Sequence, residues 1–71
     1  MWEKIQMFKI GDYAYDKTTN SVVIVEYIAD DFQQKRYLVR NDTVGGFRFE
    51  DQLMHATQDL NGNPLPTTNE A

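Results

Sequence analysis

The sequence contains no cysteine and only one histidine, His55, and these absences remove several classes of chemistry. Without cysteine the chain forms no disulfide, no thiolate nucleophile and no thiolate-ligated zinc site. Ser21 is the only serine and has no nucleophile-elbow motif around it, and Gly45-Gly46 lacks the Lys-Ser/Thr of a P-loop. We therefore expect a protein that is not an enzyme and binds neither a metal nor a cofactor.

Basic residues are also in short supply, with seven Lys and Arg against 11 Asp and Glu, for a net charge of −4. An acidic balance argues against a domain that depends mainly on phosphate contacts. It is also a common way of keeping a protein soluble. No stretch approaches the roughly 20 apolar residues that a membrane span needs, and the first residues do not form a signal peptide. We expect a cytoplasmic protein without membrane contact.

What the chain does have is one dense apolar stretch, Ser21–Ile28, rich in β-branched residues and free of Gly and Pro. Such a composition predicts a β-strand. Both of its faces are apolar: Val23, Val25 and Tyr27 on one side, and Val22, Ile24 and Ile28 on the other, interrupted by Glu26. A strand that is apolar on both sides must be covered on both sides, which in a 71-residue chain suggests a long bent strand shared by two packed sheets.

Shorter strands are predicted on both sides of this stretch. A first strand begins around Asp12, after a Gly11-Asp12 turn. A polar loop at residues 30–34 precedes a third strand, in which Tyr37 and Val39 share a face. The remaining predicted elements are a fourth strand (Phe47–Phe49), one helical turn (50–53) and a short closing strand (54–56).

The domain organisation follows from these elements. Residues 8–57 are predicted to form one domain, preceded by an N-terminal extension at 1–7 in which Trp2 covers an open end of the fold. Residues 58–71 contain two leucines and no aromatic residue, so we expect a disordered or flexible tail. A domain of this size buries only about 60% of its unfolded surface, and its stability is therefore marginal.

This layout resembles the SH3-like small β-barrels, which include Tudor and KOW modules and many short phage or plasmid proteins. The resemblance is carried by Phe8, Ile10-Gly11-Asp12, Tyr37-Leu38-Val39 and the final turn with Leu53. It covers about fifty residues and implies an all-β barrel of four or five antiparallel strands. It also implies an accessory protein of phage, plasmid or bacterial type, and it says little about activity.

Nine aromatic residues supply the first candidate site. If the register at Gly11-Asp12 resembles that of these barrels, Ala14 is in the core and Tyr13 and Tyr15 lie on the outer surface, and Phe32 follows in a loop. Exposed aromatic residues of this kind bind peptides or stack on bases. We assign Tyr13, Tyr15 and Phe32 to a partner-binding surface, whereas a structural role inside the barrel is the preferred interpretation for Tyr37, Phe47 and Phe49.

Arginine supplies the alternative site. Arg36, Arg40 and Arg48 fall on the third and fourth strands and could share one face as a basic stripe for nucleic acid. The simpler interpretation is that Glu26, Asp42 and Glu50 neutralise the stripe in ordinary surface pairs.

Three hypotheses therefore remain. A protein partner of unknown identity, bound through the aromatic residues, is preferred. Nucleic-acid binding through the arginines is the alternative. The third is a homo-oligomer with an aromatic interface, since small barrels often need one to gain buried area.

Overall fold

A computed structural model describes residues 7–31 and 34–66 of the chain and shows an all-β fold. Its elements are β1 (Tyr13–Asp16), β2 (Ser21–Asp31), β3 (Gln34–Arg40), β4 (Gly45–Phe49), a 3₁₀ turn (Glu50–Gln52) and β5 (Leu53–His55). The strands form one antiparallel sheet in the order β4-β3-β2-β1-β5. The prediction of four or five antiparallel strands is confirmed. In the described residues no pairing joins β4 to β5, so the sheet is open and not closed into a barrel.

The long second strand contains a β-bulge at Glu26, where its register against β3 shifts between Val25 and Tyr27. The extra residue moves every later side chain to the opposite face of the sheet. Val25 is therefore buried, Tyr27 is 55% exposed, and Ile28 packs against the core. The prediction that Tyr27 shares a face with Val25 is wrong for this reason. The strand also continues to Asp31, so the loop predicted from residue 30 starts later.

The core lies against one face of the sheet, which we call the inner face. Its fully buried side chains come from four strands and from the segment before β1: Phe8, Ala14, Val23, Val25, Tyr37, Val39 and Leu53. The ring of Phe8 meets that of Tyr37 edge-on, with 5.4 Å between the centroids. The predicted core positions of Ala14 and Tyr37 and the predicted shared face of Tyr37 and Val39 are confirmed.

The Gly11-Asp12 turn brings Phe8 back across the core. Gly11 has a φ of +96°, a conformation that other residues rarely adopt. Its N–H donates to the Val25 carbonyl at 2.8 Å, and the Val25 N–H donates to the Asp12 carbonyl at 2.9 Å. The Asp12 carboxylate accepts the Lys9 N–H at 2.8 Å. The predicted Gly-Asp turn is therefore present and is tied to the middle of β2.

One charged pair is built into the inner face. Asp16 is fully buried, and its two carboxylate oxygens share the N–H of Arg48 Nε, at 3.0 and 3.1 Å. The same carboxylate accepts the Thr18 N–H and the Thr19 hydroxyl, which fixes the hairpin loop between β1 and β2. A buried carboxylate is tolerated only when it is paired and hydrogen-bonded, and both conditions are met here.

The predicted tail is described as far as residue 66. Gln58 forms a bridge with Pro64, and the Leu65 N–H donates to the Thr57 carbonyl at 3.0 Å. Between them the Asp59 carboxylate accepts the N–H groups of residues 61 and 63, and hydrogen bonds of this kind hold the pKa of Asp59 below its ordinary value. The boundary predicted at residue 58 thus precedes a hydrogen-bonded loop. Residues 1–6 (with Trp2), 32–33 (with Phe32) and 67–71 lie outside the described residues.

Candidate functional site: the outer face of the sheet

The outer face of the sheet is opposite the core, and the strand register determines which side chains meet there. Residues paired directly across antiparallel strands lie on the same face. The pairings give four rows: Met54–Tyr15–Val22, Tyr13–Ile24–Arg40, Tyr27–Leu38–Phe47 and Ala29–Arg36–Phe49. Most of these side chains are apolar. The outer face is therefore a second apolar surface, on the side of the sheet away from the buried core.

The third and fourth rows hold the most exposed aromatic side chains of the sheet. Tyr27 is 55% exposed, Phe47 46% and Phe49 41%, and Leu38 lies half-buried between the first two. The guanidinium of Arg36 stacks over the Phe47 ring, 5.2 Å from its centroid, as a cation–π contact. We call these five residues the aromatic patch.

The aromatic patch corrects the prediction that Phe47 and Phe49 fill the core. Alternation along a strand shows that residues 47 and 49 share a face, but it does not show which face. The turn between β3 and β4 decides this, because it pairs Arg48 with the buried Tyr37 and Phe47 with Leu38. Arg48 is consequently directed inward and the two phenylalanines outward.

The predicted site residues Tyr13 and Tyr15 lie on the other half of the outer face. Both are half-buried, and the Tyr15 hydroxyl donates to Oδ1 of Asn20 at 3.3 Å. Beside Tyr15 is a groove of about 290 Å³ that Val22, Met54 and residues 55–58 also line. The expected outward orientation of the two tyrosines is confirmed, while a role for them in binding stays a prediction. Phe32, their proposed companion, is not among the described residues.

The three arginines do not form one stripe. Arg36 and Arg40 lie on the outer face, and Arg48 lies on the inner face with Asp16. Nε of Arg40 is ion-paired with Glu26, so the predicted neutralisation by Glu26 is confirmed. The shared face predicted for all three is wrong. Alternation along one strand shows which of its residues share a face, but it does not show how that strand pairs with the next one.

Glu50 has a different partner from the one expected. Its Oε2 accepts a hydrogen bond from the Tyr37 hydroxyl at 2.6 Å. Burial, together with the hydrogen bond to Glu50 and its negative charge, raises the pKa of Tyr37 to about 12. This pair closes the inner face below the 3₁₀ turn, and it explains why a tyrosine can be fully buried in so small a core.

The free edge of β4 is partly occupied by the chain's own side chains. The carbonyl of Phe47 accepts a bond from Nη1 of Arg48 at 3.0 Å, and the Phe49 N–H donates to Oε1 of Gln52 at 2.8 Å. Backbone groups on an edge strand are otherwise available for pairing with another chain. These two bonds therefore oppose strand addition at β4.

Other candidate sites are weaker. A polar groove of about 430 Å³ lies between the β3–β4 turn and the loop at residues 58–62, lined by Ser21, Asn41 and Asp59 among others. Across residues 7–31 and 34–66, no three His, Cys, Asp or Glu side chains are grouped so as to hold a metal ion. In the same residues, no helix has the length and apolar character to cross a membrane. His55 stacks on the Phe8 ring, with centroids 4.8 Å apart.

Comparisons of the chain with family models, with curated proteins and with solved structures found no match.

Proposed function

We propose that this protein is a non-enzymatic binding module of the SH3-like small-barrel type, and that it binds a protein partner through the outer face of its sheet. The observation that carries the proposal is the aromatic patch, in which Tyr27, Phe47 and Phe49 are each about half exposed. The meander of five strands with one 3₁₀ turn before β5 supports the SH3-like assignment. We propose a cytoplasmic accessory protein of phage, plasmid or bacterial origin.

The size of the surface fits a protein partner. Aromatic side chains bury about 150–250 Å² each in interfaces, so three half-exposed rings offer roughly 300 Å². The largest apolar patch on a typical monomer is about 300–600 Å² and is often functional. A standard interface needs about 800 Å² per partner, which the rest of the outer face can supply. Aromatic residues with an adjacent arginine are the side chains that dominate binding energy in such interfaces.

The ion pairs favour protein over nucleic acid. Of the three arginines considered for phosphate binding, Arg48 is committed to the buried Asp16 and Arg40 is paired with Glu26. The chain as a whole carries a charge of −4, which repels a polyanion.

One observation favours a second candidate, binding of single-stranded nucleic acid. Arg36 stacked on Phe47, with Tyr27 and Phe49 nearby, is an arrangement on which bases can stack. This mode relies on stacking more than on phosphate contacts, and it therefore needs fewer basic residues than groove binding to duplex DNA.

The experiment is a pull-down from bacterial lysate with the full chain as bait, using the parent, Phe47→Ser/Phe49→Ser and the control Ile10→Ser, with and without nuclease. Ile10 is 64% exposed and is not part of the sheet. Ile10→Ser therefore removes an exposed apolar side chain outside the proposed binding surface. We expect a protein that survives nuclease, is retained by Ile10→Ser and is lost with the double variant.

Two results would count against the proposal. Capture that disappears with nuclease moves the assignment to single-stranded nucleic acid. Capture that the double variant retains in full places the binding surface elsewhere. Circular dichroism and urea unfolding of each variant establish that the loss reflects the missing side chains and not unfolding.

A further inference from the structure

The chain that follows β5 folds back on itself beside the outer face. The Leu65 N–H donates to the Thr57 carbonyl at 3.0 Å, and the N–H groups of residues 61 and 63 both donate to Oδ1 of Asp59 at 2.9 Å. We call residues 57–65 the flap. Within residues 7–31 and 34–66, no hydrogen bond or ion pair joins the flap to the sheet. Its hydrogen bonds therefore hold its own shape and not its position.

Two grooves separate the flap from the sheet. The groove of about 290 Å³ beside Tyr15 lies on its β5 side, and the groove of about 430 Å³ lies on the side of the β3–β4 turn. Val22 of the outer face and Gln58 of the flap line both grooves. The flap thus stands over the outer face near Val22, with unfilled space on either side. Packed protein interiors leave few voids larger than a water molecule, so this contact is not that of a core.

Little buried surface holds the flap in place. Its side chains are exposed apart from Asp59 and Leu65, which are half-buried. The Gly11-Asp12 turn is a contrasting case, because two backbone hydrogen bonds tie it to Val25 in the middle of β2. Segments with few buried contacts and no hydrogen bonds to the rest of a domain open at a lower free energy than the whole domain unfolds.

From these observations we infer that the flap is a displaceable cover of the outer face, which moves away from Val22 as one unit while the sheet stays folded. Displacement exposes Val22 and Tyr15, which lie on the same face as the aromatic patch. A partner that binds this face better without the flap shifts the equilibrium toward the displaced state. The inference deepens the proposed function, on which the competing partner rests, whereas the movement itself does not depend on it.

Thiol labelling measures the movement, since the chain has no cysteine of its own. In the full chain one cysteine replaces Val22 under the flap, the adjacent core residue Val23, or the exposed Ile10. Each variant reacts with a maleimide carried on a polyethylene glycol chain, which is too large for either groove. We expect Val22→Cys to react at least tenfold more slowly than Ile10→Cys and at least tenfold faster than Val23→Cys, which reacts only on global unfolding.

A pair of aspartate variants tests whether the flap is the cover. Asp59→Ala removes the carboxylate that closes the flap, and in the Val22→Cys background we expect it to speed labelling at least fivefold. Asp42→Ala is the control, because Asp42 is exposed on the opposite wall of the larger groove and carries the same charge. We expect it to change the rate less than twofold. Urea unfolding of each variant gives its stability, so that labelling through global unfolding is subtracted.

Three labelling results would overturn the inference. If Val22→Cys reacts as slowly as Val23→Cys, the flap opens only when the whole domain unfolds. If Val22→Cys reacts as fast as Ile10→Cys, the flap covers nothing. Equal rates for the two aspartate variants would show that the flap is not the cover.

The pull-down tests the competition separately. We expect Asp59→Ala to increase capture of the partner at least twofold and Asp42→Ala to leave it unchanged. Equal capture by the two variants overturns the competition between flap and partner. Capture that Phe47→Ser/Phe49→Ser retains in full overturns the proposed function instead, and the labelling rates then still decide whether the flap moves.

Discussion

On the inner face of the sheet Val25 and Val39 are buried in one cluster with Phe8, whereas on the outer face Tyr27 and Phe47 are about half exposed. Both faces are largely apolar and both carry arginine. They differ in whether their charges are enclosed and whether their apolar groups are covered. The apolar side chains of the inner face are packed into a core. Those of the outer face are partly exposed, and an exposed apolar surface of this kind is often an interaction site.

The strongest way to break this distinction is to insert one alanine after Tyr27. The insertion shifts residues 28–31 by one position relative to β3, so these residues change faces and Ile28 leaves the core. We expect loss of the cooperative unfolding transition in urea, measured by fluorescence. Deletion of Glu26 is the control, because removal of the bulge residue leaves Val25, Tyr27 and Ile28 in their present pairings with β3 and on their present faces, and we expect this variant to keep a cooperative transition.

Each face contains an arginine that can be replaced by alanine, so the same substitution can be used to compare the two faces. Arg48→Ala leaves the Asp16 carboxylate buried without its charged partner, and breaking a buried pair in this way costs about 3–5 kcal/mol. Arg40→Ala removes an exposed pair with Glu26, at a cost of about 0–1 kcal/mol. Urea unfolding at pH 7 measures both. Similar values for the two variants would contradict the assignment of Arg48 to an enclosed site.

More of the fold than of the candidate site can be predicted from the sequence. Strand positions and the Gly11-Asp12 turn follow from local signals, because turn residues and β-branched runs act over a few positions. In the sequence, Glu26 interrupts one apolar face of the predicted second strand, and this interruption is the feature that indicates a bulge there. Its effect on Tyr27 could not be deduced without knowing which residue of β3 is its partner.

Which side chains lie on the outer face depends on how neighbouring strands pair, and alternation along a strand does not determine that pairing. Alternation correctly grouped Phe47 with Phe49 but gave no means of deciding which face they occupy. That choice is made by the β3–β4 turn, where Oδ1 of Asn41 accepts two backbone N–H groups and the Asn41 N–H donates to the Val44 carbonyl. The same turn directs Arg48 inward and removes it from the predicted basic stripe.

The Tyr37–Glu50 pair provides a prediction of intermediate size. Tyr37→Phe removes a hydrogen bond to a charged group and is expected to cost about 1.5–3 kcal/mol at pH 7. Because the pKa of Tyr37 is raised from 10.0 to about 12 by folding, its contribution is complete below pH 10 and is lost as the pH rises through 12.

Urea unfolding of the parent and of Tyr37→Phe from pH 7 to pH 11 measures this dependence. The difference in free energy of unfolding between them should be constant up to about pH 9 and narrow above pH 10. A difference that stays constant to pH 11 would show that Tyr37 titrates as an exposed tyrosine does, and would remove it from the enclosed inner face.

The smallest expected effect is on the outer face itself. Arg36 and Phe47 form a cation–π contact in solvent, which is worth about 0.5–1 kcal/mol. A double-mutant cycle with Arg36→Gln and Phe47→Leu isolates this coupling, since the other contacts of each residue cancel in the cycle. A coupling above about 2 kcal/mol would mean that the pair is desolvated and that the outer face is already covered in the free protein. A value within the expected range means that Arg36 holds the Phe47 ring only weakly, so a partner can rearrange both at little cost.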